Sequence, residues 1–266
     1  LGLLVAYGFA LSINFGNISL TKDYAEHTIR GKNDISINPD ERSNEKEQTS
    51  GLSKDYITNW SYGIGESLTL LSPYVKGGSS SKIVNSQFSD KLRSKDFRRD
   101  AQLIGKNDIY WGDQPFTSGP VYVGIIVFLL AILGLVYLHG PMKWALFTVA
   151  LLALLLGFGK NFGREDLMVL NILLLLGAVL LFVFKSSGKY LLLVLSFLGW
   201  LLYLFGSGEM PVTNFFLDNV FGYNKFRAVT IILSVVELII PVLGVLFLHK
   251  LISKKEEIKA NIKPFY

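Results

Sequence analysis

The chain has 266 residues, half of them hydrophobic, with 26 Lys and Arg against 21 Asp and Glu and no cysteine. The lack of cysteine excludes disulfides, thiolate metal sites and a cysteine nucleophile. The net charge of +5 is not gathered into a basic stripe interleaved with aromatics, so no nucleic-acid partner is expected; the surplus is assigned to membrane flanks.

The average hides two materials. Residues 16–119 are polar and rich in Lys, Asp, Ser and Asn, whereas 120–250 are dominated by Leu, Val, Ile, Phe and Gly. A soluble domain of this length mixes the two classes along amphipathic elements. Segregation in blocks instead predicts an all-α integral membrane protein. The expected form is a multispanning helical bundle with a large extracytoplasmic loop region that holds short or amphipathic helices.

In chain order, "LGLLVAYGFALSINF" (1–15) has no basic n-region and no small-residue cleavage site, so it is not read as a signal peptide. It is expected to be a truncated transmembrane helix, which makes the sequence read as a piece of a longer protein. Within the extracytoplasmic segment 16–119, residues 30–55 are densely charged and predict a mobile loop. Residues 56–75, "YITNWSYGIGESLTLLSPYV", carry Glu66 as their only charge. They predict an interfacial or docked helix with Trp60 and Tyr62 at headgroup level. "GGSSS" (77–81) lacks the spacing of a phosphate loop and is read as a plain loop. Residues 82–104 predict a weakly amphipathic interfacial helix, and "YWGDQPFTSGP" (110–120) a tight turn.

Crossing a bilayer as a helix takes about 20 apolar residues. Residues 120–250 supply five candidates, at 119–140, 143–159, 167–184, 190–206 and 228–251. Pro120 is placed near the first turn of the first of these, where its missing N–H costs little. The short loops set the orientation. Lys143, Lys185, Lys189, Lys250, Lys254, Lys255 and Lys259 fall on one side; Lys160, Arg164, Lys225 and Arg227 fall on the other. The lysine-rich side is expected to be cytoplasmic. The tail 251–266 and the C-terminus are then cytoplasmic, and residues 16–119 extracytoplasmic.

Residues that break the membrane pattern are the candidate functional ones. Glu237 lies near the middle of the last apolar run with Pro241 one turn later. A lone charged acid at that depth costs about 2.5–3.5 kcal/mol on insertion scales, so it should face the bundle interior or a wet cavity. Pro241 removes the hydrogen bond to the carbonyl of Glu237 and is expected to kink the helix. Glu237 is either part of a substrate or proton site or a polar bond between helices. Tyr223, Lys225 and Arg227 precede the same span at headgroup height, where cations either hold a lipid phosphate or serve as ordinary snorkelling anchors. Trp111 and Asp113 offer a ring for the C–H face of a sugar and a hydroxyl acceptor, or simply a turn with a local backbone bond. No metal-ligand spacing appears, so a divalent metal is possible but not indicated, and the cofactor is unknown.

Five motifs in order, "DYITNWSYGIGESLTLLSPYVKGGSSS", "YWGDQPFTSGPVYVG", "GPMKW", "GFGKNF" and "TNFFLDNVFGYNKFRAV", resemble the YfhO family of bacterial membrane proteins over most of the chain. One departure is that two apolar spans (167–206) separate "GKNF" from "TNFFLD". The resemblance implies a GT-C-like membrane glycosyltransferase of the bacterial cytoplasmic (inner) membrane. Its donor would be a polyprenyl-phosphate-linked sugar taken at the outer face, and its acceptor a cell-envelope polymer or lipid. It also implies a catalytic acid or base in a loop upstream of Leu1, so no catalytic residue is assigned here. Two alternatives stand beside it: a transporter or flippase, suggested by Glu237 and Pro241, and a non-catalytic envelope-assembly scaffold.

Overall fold

The computed structural model describes residues 2–28, 52–83, 106–183, 186, 188–220 and 222–253. Most of the expected loop 30–55, nearly all of the expected helix 82–104 and most of the tail 251–266 lie outside the described residues. Among the described residues there is no strand, and the protein is an all-α multispanning membrane protein. Its helices are α1 (Gly2–Glu26), α2 (Lys54–Thr58), α3 (Ile125–Tyr137), α4 (Met142–Phe158), α5 (Arg164–Val183), α6 (Gly188–Phe205), α7 (Pro211–Asn219) and α8 (Leu233–Ser253). Short 3-10 turns cover Ile64–Leu70, Gly159–Asn161, Tyr223–Lys225 and Val229–Ile232.

Among the described residues, five stretches are long and apolar enough to cross a membrane: Leu4–Ala25, Met142–Asn161, Arg164–Val183, Gly188–Phe205 and Val229–Ser253. The first exceeds the expected part-span 1–15, because helix α1 runs on through Asn17 and Thr21 to Glu26. Its spanning window is not buried against the rest of the chain.

The run 119–140 is a full apolar span in sequence, yet its helix begins only at Ile125. Pro120 therefore precedes α3 instead of sitting in its first turn. The physical reason lies in the backbone donors of the lead-in. Val123 and Gly124 N–H both donate to Leu70 O, at 3.2 and 3.0 Å, and Tyr122 N–H donates to Glu237 Oε1 at 3.2 Å. Non-helical backbone at membrane depth persists where protein satisfies it in this way. The helical part of α3 rises only about 20 Å.

The core runs along α8, which packs on α3 and α4. Its buried residues Val236, Ile239, Ile240, Leu243 and Phe247 form one face at helical spacing. Small residues let the helices approach: a Cβ at Gly134 of α3 would lie 2.8 Å from Leu243 O. Helix α8 continues through Pro241. Helices α5 and α6 form a second pair, in which a Cβ at Gly199 would lie 2.0 Å from Asn171 Oδ1, and Ser196 Oγ donates to Asn171 O at 3.2 Å.

The two ends of the bundle differ. At one end, Lys143 Nζ donates to Leu135 O at 2.6 Å and Lys250 Nζ to Tyr137 O at 2.8 Å. Both ammonium groups thus sit on the last carbonyls of α3, where the helix dipole favours them. The other end carries residues 52–83 and 106–124 as a covering layer, together with α7 and the lead-in to α8.

Candidate functional site at the layered end of the bundle

The layer begins with α2, whose N-cap Ser53 Oγ accepts from Tyr56 N–H at 3.4 Å. Residues 56–75 do not form one helix. The chain leaves α2 at Asn59 because its next backbone groups bond to the bundle. Tyr62 N–H donates to Gly157 O at 2.9 Å, and Asn161 Nδ2 donates to Ser61 O and Tyr62 O, each at 3.1 Å. Lys160 N–H donates to Ser61 Oγ at 2.9 Å, and Thr213 Oγ1 donates to Gly159 O at 3.1 Å. The segments around Ser61, Gly159 and Thr213, far apart in sequence, therefore meet at Gly159, whose φ is +50°.

Tyr62 is buried instead of standing at a headgroup surface; its ring stacks on Phe158 at 6.2 Å. Its hydroxyl meets Glu66 O at 2.7 Å and Thr69 Oγ1 at 2.6 Å. Burial pushes its pKa up from 10.0 to about 12. Burial likewise pushes Tyr223 up to about 12. That side chain packs inward beside Phe216, at 5.8 Å between ring centroids.

The centre of the layer is Glu66, 1% exposed. Its Oε2 accepts from Gly63 N–H at 2.6 Å, and its Oε1 from the Tyr110 hydroxyl. The same hydroxyl accepts from Gln114 N–H at 2.9 Å, so Glu66 ties residues 63–66 to the turn 110–114. Glycine is needed twice for this closeness. A Cβ at Gly112 would lie 1.9 Å from Glu66 Oε1, and one at Gly63 would lie 1.9 Å from Asp113 Oδ2 and 3.2 Å from Glu66 Cγ. Asp113 and Glu66 thus flank Gly63 from two sides, with Asp113 exposed and Glu66 buried. The enclosed cavity beside Glu66 holds about 10 Å³, room for one water and not for a sugar. A larger ligand must therefore sit on the open rim.

Two cation–aromatic pairs stand at this end of the bundle. Lys76 Nζ lies 4.3 Å from the centroid of the Trp111 ring, which is 63% exposed. The Arg227 guanidinium lies 5.4 Å from the Trp60 ring and 5.9 Å from the Tyr56 ring, and its Nη1 donates to Tyr56 Oη at 3.0 Å. Trp60 meets Phe116 edge to face at 5.2 Å, which joins the Arg227 pair to the 110–120 turn. Lys225 sits on the adjacent 3-10 turn, where Asn224 O accepts from Leu52 N–H at 3.0 Å. Ala228, next to Arg227, holds a left-handed φ of 64°, a conformation a non-glycine residue keeps only where its surroundings impose it.

Of the residues singled out in the sequence, Trp111, Asp113, Lys225 and Arg227 all belong to this end. Glu237 is in the second turn of α8, below the layer, and its Oε1 is engaged by Tyr122 N–H. Arg164 is a structural clamp: Nε donates to Gly208 O at 3.0 Å, and its other nitrogens to Tyr203 O in the last turn of α6 and to Gly206 O just beyond it. Sequence reasoning missed Lys76, Tyr110, Tyr56 and the role of Glu66. The spacing Gly63-x-x-Glu66, a capping-box pattern, was the available signal for Glu66. Among the described residues no three His, Asp or Glu side chains are grouped to hold a metal.

The buried phenols make one prediction. A raised folded-state pKa stabilises the fold fully below the unfolded value of 10.0; that contribution is lost as pH rises through about 12. In an alkaline titration followed by phenolate absorbance, Tyr62 and Tyr223 are expected to ionise near 12. Tyr62→Phe and Tyr223→Phe should each remove one late step. A single step near pH 10 with the helices intact would refute their burial.

Set against protein-family models, curated proteins and solved structures, the chain matches none of them.

Proposed function

We propose that the protein is a YfhO-type, GT-C-like membrane glycosyltransferase. It would work at the outer face of the bacterial cytoplasmic membrane, using a polyprenyl-phosphate-linked sugar to modify a cell-envelope polymer or lipid. The observation that carries this reading is the pairing of two cation–aromatic sites around an exposed carboxyl at one end of a membrane bundle. The three parts of such a donor match three surfaces. The isoprenoid tail matches the lipid-facing helices. The phosphate matches the guanidinium of Arg227, which keeps donors beyond the one given to Tyr56, with Lys225 beside it. The sugar matches the open face of Trp111, with Asp113 accepting hydroxyl hydrogen bonds. Tyr223 and Glu237 support this surface from below. The transporter alternative needs Glu237 free to bind and release its cargo, and its bond to Tyr122 N–H favours transfer over transport.

The test is Arg227→Ala combined with Lys225→Ala, measured as binding of a polyprenyl-phosphate sugar to the protein in vesicles. Losing a charge-assisted phosphate contact costs about 1.5–3 kcal/mol, so affinity should fall roughly 10- to 100-fold while membrane insertion persists. Unchanged affinity would remove these residues from the donor site.

A further inference from the structure

We propose that the layer formed by residues 64–74 and 111–122 is seated in the lipid headgroup region, with its exposed apolar face against the leaflet. This inference rests on the membrane architecture alone and holds whether or not the protein transfers sugar.

The layer leaves a large apolar surface uncovered. Ile64 is 42% exposed, Leu68 54%, Tyr74 64%, Phe116 58% and Tyr122 47%. Its other face is spent on the bundle: Glu66, Thr69 and Leu70 of the same 3-10 turn are buried. A turn that buries its polar acid and exposes Ile64 and Leu68 is inverted relative to a water-facing segment, and an apolar face left exposed in this way points to a partner.

Two observations identify the partner as lipid. The first is continuity. Leu70 O accepts from Val123 and Gly124 N–H, so the layer joins the first turn of α3. The next residues, Ile125, Ile126 and Leu129, are 56%, 71% and 52% exposed on an apolar helix of the bundle. The second is the placing of charge. Lys76 and Arg227 lie over the faces of Trp111 and Trp60, the combination of cation and amphipathic ring that anchors proteins at a headgroup layer. The hydrophilic edge of the layer, where Lys82 pairs with Asp108 at 2.9 Å, lacks such aromatic partners among the described residues. A seven-residue turn is far too short to cross and lies along the interface instead.

The chain has no cysteine, so single-cysteine variants label cleanly. Leu68→Cys and Tyr74→Cys carry the probe. Lys106→Cys serves as the aqueous reference and Leu129→Cys as the bilayer reference. Each variant of this chain is labelled with a nitroxide and reconstituted in phosphatidylethanolamine–phosphatidylglycerol vesicles. Collision with oxygen is then compared with collision with a water-soluble nickel chelate. The ratio at positions 68 and 74 is expected to lie severalfold above that at 106 and toward that at 129. If Leu68→Cys fails to insert, Tyr74→Cys carries the test alone. A ratio equal to that at position 106 would put the face in water and overturn the proposal. Shielding from both reagents would overturn it too, because protein, such as a second copy of the chain, would then cover the face.

Discussion

Replacing Glu66 by alanine is expected to destabilise the protein by roughly 2–6 kcal/mol, through two stranded donors at about 1–3 kcal/mol each. The donors are Gly63 N–H and the Tyr110 hydroxyl, which lose their acceptor in a layer where Glu66 is 1% exposed. Glu66→Gln keeps the volume and one acceptor, so it should lose less; Tyr110→Phe strands one carboxyl oxygen and the Gln114 N–H, so it should fall near Glu66→Ala. Thermal unfolding in detergent measures the order. Functionally, Glu66→Ala should also release the 110–114 turn, which is held to the layer through Tyr110, and so weaken any ligand that uses Trp111 and Asp113. Wild-type stability for Glu66→Ala would mean that the layer is held by its apolar contacts alone.

The second large effect is expected at Gly159. Its φ of 50° and ψ of −119° lie in a region that residues with a side chain avoid. An added Cβ would stand 2.2 Å from Ser61 Oγ and 2.8 Å from Val229 Cγ2. Gly159→Ala therefore combines backbone strain with overpacking, at a cost on the order of 2–5 kcal/mol. It strikes the point where the 61–62, 157–161 and 213 segments are tied together. Gly119→Ala is the matched control, since nothing lies within 4 Å of its Cβ position. A proper measurement compares the two variants in the same unfolding assay. Equal stability would contradict the close approach at Gly159.

The apolar spans were legible because twenty-residue apolar runs are a strong signal. The runs 143–159 and 190–206 lie close to the helices Met142–Phe158 and Gly188–Phe205. The first run, 119–140, was misleading. Hydropathy cannot reveal that the donors of residues 122–124 are taken by Glu237 and Leu70, which lie far away in sequence. The same limit hid the centre of the candidate site. Glu66 and Tyr110 are 44 residues apart, and neither alone looks like half of a pair. Trp111, Asp113 and Arg227 were visible as residues out of place at a membrane edge. Trp60 was read as a headgroup aromatic, but its pairing with Arg227, like the pairings of Tyr56 and Lys76, was not visible, because pairing through space leaves no spacing in the chain.

The central claim is that the layered end of the bundle receives a polyprenyl-phosphate-linked sugar. Its most direct test is to incubate the purified full-length protein, reconstituted in vesicles, with a labelled polyprenyl-phosphate sugar and a cell-envelope polymer or lipid fraction as acceptor, and to follow both retention of the donor and transfer of the sugar from its carrier to that acceptor. The account expects saturable retention that Trp111→Ala and Arg227→Ala each weaken, together with loss of label from the carrier. Failure to bind and failure to turn over the donor would contradict it.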